Sequence, residues 1–207
     1  MNAKELRYLI YTDFYRITGR DLTKKEYLTA LMGKELKSLG YASRGFKFIF
    51  DFRSFNYNLY KRHNRLHRWY WRRRYNRTCV KYGLEFPVFI KVGKGFVCWH
   101  TNGIVVDGGA VFGDNCSIIQ QVTIGHKYES DTVATIGDCV SIGAGAKLIG
   151  NISIGNNVKI GSNAVVTHSV PDNCSVAGVP AKVLNDNIDG TRKNIDYLSY
   201  EEYIKLR

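Results

Sequence analysis

A six-residue period in the second half of the chain constrains the fold more than any other feature. Large apolar residues recur every six positions. Two residues before each of them stands a second apolar residue, which is usually smaller. The period matches neither the 3.6 residues of an α-helix nor the two of a plain strand. It is typical of a β-helix, in which each hexapeptide forms a short strand and a corner. The periodic residues are large and apolar: Val106, Phe112, Ile118, Ile124, Ile136, Ile142, Leu148, Ile154, Ile160 and Val166.

One step of this repeat is missing, between Ile124 and Ile136. The intervening stretch HKYESDTVA is mostly polar and cannot supply an inward apolar residue. We therefore predict that residues 126–133 form a loop that leaves the coil. Loops that interrupt a compact repeat often carry function.

A second irregularity lies in VCWHTNGIVV, residues 97–106. Cys98 occupies an inward position, yet the next inward residue, Val106, follows after eight residues instead of six. The two extra residues fall beside His100. Because a bulge can re-aim a side chain, His100 is either a functional residue or an exposed residue of an irregular first coil.

Charge divides the chain into two halves. Residues 1–84 hold 20 Lys/Arg and 6 Asp/Glu, whereas residues 85–207 hold 10 and 12. The N-terminal part is predicted to be helical, with a capping box at Thr23 and Glu26 and a stop at Gly40.

The most basic segment, residues 52–77, has nine Lys/Arg, no acidic residue and eight aromatic residues. Its residues Leu59, His63, Leu66 and Tyr70 have helical spacing and are predicted to form its packed face. The segment is either a solvated helix or a surface for an anionic partner: a charged polysaccharide, a lipid-linked glycan or the inner leaflet. Nucleic-acid binding is not favoured, because no recognisable module is present.

Other features narrow the class of protein. The chain has no run of 18 apolar residues and no signal-peptide pattern at its N-terminus. Its five cysteines include no C-x-x-C pair, so we expect reduced thiols, a cytoplasmic location and no metal site.

Several motifs in order, among them YGLEFP, GFVCWHTNGIVV, SIIQQVTIG, IGDCVSIGAGAKLIG and SVAGVPAKVL, resemble the hexapeptide-repeat acyltransferases. The resemblance is greatest to the serine O-acetyltransferase branch, which includes enzymes of polysaccharide synthesis. It implies a mainly β fold, a left-handed parallel β-helix with an N-terminal helical segment and a short C-terminal helix. It also implies a homotrimer with acetyl-CoA as donor. The expected domains are a basic helical region 1–82, the β-helix 83–185 and a tail 186–207.

The resemblance places the family's catalytic histidine on His100 and its carboxylate partner on Glu85. The chemistry suits these residue types, because a hydroxyl is a weak nucleophile and a neutral imidazole can accept its proton. A carboxylate on the other ring nitrogen would orient the imidazole. For CoA, the resemblance implies that Ala144 and Ser162 line the pantetheine arm and that Lys182 meets a phosphate.

The acceptor is predicted from positions at which this chain differs from the serine enzymes. The serine enzymes carry an Asp before the histidine and an Arg-His pair after the loop, where this chain has Trp99, Thr132 and Val133. Since both charged anchors for an amino acid are missing, we expect a saccharide acceptor, anionic or lipid-linked. Trp99 either stacks on its sugar ring or packs at the trimer junction, and His126 either contacts the acceptor or is solvated. The alternatives are a serine O-acetyltransferase of cysteine synthesis and a non-catalytic trimeric β-helix that binds anionic surfaces.

Overall fold

The computed structural model describes residues 1–59, 65–128, 132–188 and 197–206. Four helices and a 3₁₀ turn, Lys37–Ala42, precede a stack of short strands, and one helix follows it. The helices are α1 Ala3–Thr18, α2 Lys24–Leu31, α3 Ser43–Leu59, α4 Arg65–Tyr82 and α5 Tyr200–Leu206.

Fifteen strands form the three faces of a parallel β-helix, so the predicted fold class is confirmed. Sheet A contains β1 Leu84–Glu85, β4 Ile104–Val106, β7 Thr123–Gly125, β10 Lys147–Ile149 and β13 Val165–Val166. Sheet B contains β2 Lys91–Val92, β5 Val111–Phe112, β8 Thr135–Ile136 and β11 Ser153–Ile154. Sheet C contains β3 Val97–Cys98, β6 Ser117–Ile118, β9 Ser141–Ile142, β12 Lys159–Ile160, β14 Ser175–Gly178 and the antiparallel β15 Ala181–Asn185.

Equivalent residues of successive coils pair in register, as Ile118 does with Ile142 and Ile142 with Ile160. All ten residues of the large apolar series are at most 3% exposed. The smaller series, from Ile104 to Ala164, is buried as well. The predicted inward columns are therefore confirmed, and they form one apolar core along the axis of the coil.

The corner between sheets B and C is held by polar side chains. Each coil places the Oδ1 atom of an Asp or Asn under the backbone N–H of the coil before it: Asp138 accepts from Asp114 at 2.7 Å, and Asn156 from Asp138 at 2.8 Å. The next residue of each corner adopts a left-handed conformation, with φ between 55° and 59°. Asparagine tolerates this region better than most residues, which explains its use at Asn115, Asn157 and Asn173.

Helices α1 and α3 close the first coil through one buried ion pair. Arg53 bonds Asp13 at 2.9 Å and 3.1 Å, and both side chains are buried. Arg53 also donates to the carbonyls of Val92 and Gly93, at 2.7 and 2.5 Å, and Asp13 accepts from the N–H of Phe96 at 2.8 Å. The end of a β-helix leaves backbone groups unpaired, and this pair satisfies three of them.

The helical region differs from the sequence prediction in two places. The capping box of Thr23 and Glu26 is present, but α2 ends at Leu31, well before Gly40. The predicted packed face of residues 52–77 is present only at Leu59, which packs against the core. Leu66 is 79% and Tyr70 45% exposed, and His63 lies outside the described residues. Helix α4 instead buries the opposite face: Trp71, Tyr75, Thr78 and Tyr82.

The C-terminal helix α5 packs on α1 through aromatic rings. Tyr203 stacks on Tyr11, with ring centres 4.9 Å apart and planes 25° apart. The Tyr8 hydroxyl donates to the carbonyl of Leu198 at 3.1 Å. In the part of the chain that the structure describes, no helix is both long and apolar enough to cross a bilayer.

Substituting Gly45 is expected to separate α3 from the strand that precedes His100. A Cβ atom at Gly45 would lie 1.6 Å from the carbonyl oxygen of Cys98, so backbone must move. We expect Gly45→Ala to lower the free energy of unfolding by about 3 kcal/mol, measured by urea denaturation. The matched control is Gly125→Ala, where nothing lies within 4 Å of the added methyl group. Equal stability of the two variants would contradict this packing.

Candidate active site

The structure explains why the repeat slips beside His100. The two extra residues form a turn in which Asn102 and Gly103 have φ of 95° and 65°. This turn remains hydrogen-bonded on both sides: the N–H of Gly103 donates to Gly83 at 2.7 Å, and the carbonyl of Asn102 accepts from Gln121 at 2.9 Å. The turn therefore stays hydrogen-bonded to both neighbouring segments and leaves His100 exposed at the corner between sheets C and A.

His100 borders a pocket of about 720 Å³ between this corner and the helical region. The ring of Tyr41, from the 3₁₀ turn, stacks on the imidazole with ring centres 5.6 Å apart and planes 29° apart. Tyr41 is 70% exposed, so the stack is open to a ligand. The side chains that line the pocket with His100 include Glu35, Tyr41, Arg44 and Gln120.

Two opposite charges from the helical region meet in this pocket. Arg44 lies at the start of α3, and Glu35 lies in the segment before the 3₁₀ turn. The Tyr82 hydroxyl, 2.5 Å from Glu35, and then Lys81 and Arg44 hold the pKa of Glu35 below its ordinary value. Glu35 is therefore a carboxylate at neutral pH, beside a guanidinium that is always charged. Sequence reasoning missed both residues, because they stand more than fifty positions before His100 and match no motif.

Gln120 adds an unsatisfied acceptor to the same pocket. Its Oε1 atom is buried and has no hydrogen-bond partner among the described residues. A buried acceptor without a partner is costly, so it is suited to a donor on a ligand. Trp99 is half-buried and packs beside Tyr41, with ring centres 6.3 Å apart.

The residues predicted for CoA lie along the same corner. The N–H of Gly145 donates to Gln120 at 2.9 Å, and the N–H of Asn163 donates to Ala144 at 2.8 Å. Successive coils thus place Gln120, Ala144 and Ser162 in one column that starts at His100. Coils are separated by about 4.8 Å, so the column extends about 14 Å from the imidazole.

Lys182 lies at the far end of this column. On the last antiparallel pair, β14 and β15, Lys182 is the register partner of Ala177. Ala177 in turn packs against Gly161, whose added Cβ atom would lie 2.8 Å from the Ala177 side chain. The exposed ammonium of Lys182 is therefore close to the Ser162 end of the column, where it can meet an anion.

Glu85 and His126 border a different pocket, of about 660 Å³, across sheet A. Glu85 is the register partner of Val105, two residues beyond the bulge. Over the described ranges, no hydrogen bond or ion pair joins Glu85 to His100. The structure therefore brings His100, Ala144 and Ser162 to one edge but leaves Glu85 in the neighbouring pocket.

His126 has a carboxylate partner that sequence reasoning missed. Its Nδ1 atom lies 2.7 Å from Oδ2 of Asp107 on the preceding coil. The N–H of Gly109, followed by His126, holds the pKa of Asp107 below its ordinary value. Of the predicted loop, residues 129–131 lie outside the described residues, and Val133 is buried. No group of three metal-ligating side chains occurs in the ranges that the structure describes.

Comparison with known proteins supports the architecture. Residues 134–168 match the family model for the bacterial transferase hexapeptide (six repeats). The serine acetyltransferase of Salmonella typhimurium is 40% identical over 111 residues, 53% of this chain and 41% of that protein.

Two solved structures are informative. The Neisseria gonorrhoeae serine acetyltransferase in complex with serine is 33% identical with a TM-score of 0.66, covering 86% of this chain and 68% of its own. A serine acetyltransferase in complex with CoA is 29% identical with a TM-score of 0.66, covering 88% of this chain and 70% of its own.

The fold, the corner histidine and these likenesses define the class: the chain belongs to the hexapeptide-repeat acyltransferase family. The chain spans about two fifths of the length of curated relatives such as the serine acetyltransferases of Salmonella typhimurium and Synechococcus elongatus.

The comparisons correct the predicted acceptor. The similar proteins are named serine acetyltransferases, so the prediction of a saccharide acceptor and of the polysaccharide-associated branch is wrong. The physical reason lies in Arg44 and Glu35. The prediction was based on the absence of charged residues at sequence positions close to His100. In the folded protein, two charged residues of the helical region line the same pocket as His100.

Proposed function

We propose that the protein is an acetyl-CoA-dependent O-acetyltransferase whose acceptor is the hydroxyl group of serine. The observation that carries this proposal is the convergence of His100, Arg44 and Glu35 on one pocket. Free serine is a zwitterion, and a pocket with one guanidinium and one carboxylate suits its two charged groups. The relatives named serine acetyltransferase support the same acceptor.

In this proposal His100 is the general base. It accepts the proton of the serine hydroxyl as the oxygen attacks the carbonyl carbon of the acetyl thioester. A C–O bond forms and the C–S bond breaks, and His100 returns the proton to the departing thiolate. The products are O-acetylserine and CoA. Arg44 holds the serine carboxylate, Glu35 its ammonium group, and Gln120 supplies a further acceptor for the ammonium or hydroxyl.

Acetyl-CoA fits the column below His100. Ala144 and Ser162 present small side chains there, which leaves room for the pantetheine arm against the backbone. Lys182 offers a point cation to a phosphate at the far end. The solved relative with bound CoA supports this choice of donor.

We propose, further, that the active unit is a homotrimer of the kind the family resemblance implies, with sites at subunit junctions. The proposed domain division at residues 82 and 185 then has a functional meaning. The β-helix carries the base and the donor groove, while the region before residue 83 carries the acceptor charges Arg44 and Glu35. Glu85 as a carboxylate partner of His100 and His126 as an acceptor contact stay predictions.

The acceptor is tested by removing Arg44. We expect Arg44→Gln to raise the KM for L-serine by about tenfold to a hundredfold, because one charge-assisted contact to the carboxylate is lost. The kcat should change little, since Arg44 does not touch the transferred proton. Release of the CoA thiol, followed with a colorimetric thiol reagent, measures both constants.

Ethanolamine, which has the hydroxyl and ammonium groups of serine but no carboxylate, is the matched acceptor. Wild-type protein should prefer L-serine, and Arg44→Gln should lose that preference. Arg7→Gln, an exposed arginine on α1, is the matched protein control. An unchanged KM for L-serine in Arg44→Gln, or equal use of both acceptors by the wild type, would remove this role.

A further inference from the structure

Helix α4 has a second apolar face, which points away from the protein. Leu66, Trp69 and Val80 are 79%, 60% and 84% exposed. With Arg73 they recur at intervals of three, four and seven residues, so all four lie on one side of the helix. We call this side, with its flanking residues Arg65, Tyr70, Arg72 and Arg77, the outer face of α4.

The outer face has a second, independent property, its charge. The arginines Arg65, Arg72, Arg73 and Arg77 are exposed, and none forms an ion pair within the described ranges. Arg73 lies 5.6 Å from the ring centre of Trp69, so cation and indole occupy the same patch. Helix α4 contains no acidic residue. Among the described residues, the ion pairs of α4 lie away from this face: Arg74 pairs with the buried Asp51 at 2.6 Å, and Lys81 pairs with Glu35 at 3.0 Å.

The apolar residues of this face are not explained by folding. The core of the helical region is filled by the opposite face of α4, which carries Trp71 and Tyr75. Exposure of a tryptophan, a leucine and a valine on one face of a helix indicates a binding surface rather than a packing defect. The ligand must offer an apolar layer next to negative charge.

We propose that the outer face of α4 binds the surface of an anionic lipid bilayer. Indole and phenol side chains favour the interface between headgroups and acyl chains, and arginines flanking them attract anionic headgroups. In this arrangement α4 lies parallel to the membrane plane, Leu66, Trp69 and Val80 enter the interface, and the four arginines contact phosphates. The protein is then peripheral, and its catalytic edge remains in water.

Charge favours a bilayer over the other occupants. A twofold contact of this face with itself in a second copy would bring four arginines against four arginines, which opposes association. A nucleic acid would satisfy the arginines but not Leu66 and Val80, which have no partner in a phosphate backbone. A lipid surface satisfies both sets of side chains at once.

The test is co-sedimentation of the full-length protein with vesicles. We expect binding to vesicles of phosphatidylcholine with 30% phosphatidylglycerol (about one lipid in three) and at least tenfold weaker binding to phosphatidylcholine alone. Binding should fall with added salt, because the headgroup attraction is screened. Brominated acyl chains should quench tryptophan fluorescence in the wild type.

Two variants separate the parts of the face. Leu66→Gln with Trp69→Gln and Val80→Gln should lower partitioning by about a hundredfold and abolish the quenching, since three apolar side chains are lost. Changing Arg65, Arg72, Arg73 and Arg77 to glutamine should lower partitioning by a similar factor and remove the dependence on anionic lipid. The matched control is Leu28→Gln with Leu206→Gln, two exposed leucines on other helices.

Circular dichroism and the transfer of acetyl groups in solution should be the same in all four proteins, because the outer face does not border the His100 pocket. The proposal is overturned if the wild type binds neutral and anionic vesicles equally, binds neither, or binds a soluble polyanion such as heparin but no vesicle. Self-association that the glutamine variants abolish, without vesicle binding, would assign the face to a second copy instead.

Discussion

Replacing His100 by alanine is expected to lower the kcat/KM for acetyl transfer by about a thousandfold, because the acceptor hydroxyl then loses its proposed general base. This corresponds to about 4 kcal/mol of transition-state stabilisation. The fold should not change, since the imidazole is exposed and the bulge is held by backbone hydrogen bonds of Gly103 and Gln121. Thiol release with saturating acetyl-CoA measures the loss.

His168→Ala is the matched control, because His168 is also exposed but lies at a turn after β13, away from the pocket. Its activity should equal that of the wild type. A folded His100→Ala protein that retains full acetyl transfer would exclude His100 as the base. If neither the wild type nor any variant transfers acetyl to a hydroxyl, that result would support the alternative of a non-catalytic β-helix that binds anionic surfaces.

Glu85→Gln distinguishes the two roles open to that carboxylate. If Glu85 orients the imidazole during catalysis, kcat should fall by at least tenfold with little change in the KM for L-serine. If it serves only the neighbouring pocket, the kcat should stay within about twofold of wild type. The position of Glu85 on β1, unbonded to His100 over the described ranges, makes this comparison informative.

Removing the carboxylate of Asp13 is expected to have the largest effect on stability. Asp13→Ala leaves the guanidinium of Arg53 buried without its ion-pair partner and the N–H of Phe96 without an acceptor. Breaking one side of a buried pair typically costs about 3–5 kcal/mol, a large fraction of the stability of a domain. Urea denaturation at one fixed protein concentration measures the change, because association also affects the midpoint.

The double substitution Asp13→Ala with Arg53→Met is the companion measurement. Replacing both charges by apolar groups should restore part of the free energy of unfolding, because no unpaired charge is then buried. The carbonyls of Val92 and Gly93 still lose their donor. We therefore expect partial recovery. The interpretation fails if Asp13→Ala costs less than about 1 kcal/mol, as an exposed ion pair would. The pair of Lys94 with Asp114 at 3.2 Å, whose side chains are 37% and 38% exposed, provides that comparison.

The chain's repeat determined the β-helix without any tertiary information. An inward column needs one large apolar residue every six positions, and the burial of all ten such residues follows directly from that pattern. The slip beside His100 was visible for the same reason, because two extra residues cannot fit a regular coil. The assignment of Ala144 and Ser162 to the donor came from the family resemblance, and the structure places both residues in the column that starts at His100.

The helical region shows where a pattern is not sufficient. Leu66 and Tyr70 have the spacing of a packed face, yet they are exposed, because α4 is apolar on both sides. When a helix has two apolar faces, the sequence pattern alone does not show which of them is buried. The choice is made by the shape of the neighbouring α3 and by the buried contact of Arg74 with Asp51.

The proposed acceptor site depended on tertiary structure most of all. The sequence by itself determined a coiled stack of strands with a histidine at one corner, because those features arise from short, repeated spacings. Only the tertiary structure brought Arg44, in α3, and Glu35, in the segment before the 3₁₀ turn, to the pocket of that histidine. Both residues precede the repeat and carry no periodic signal. Charges that act through space can come from any part of the chain, and only folding decides which ones meet.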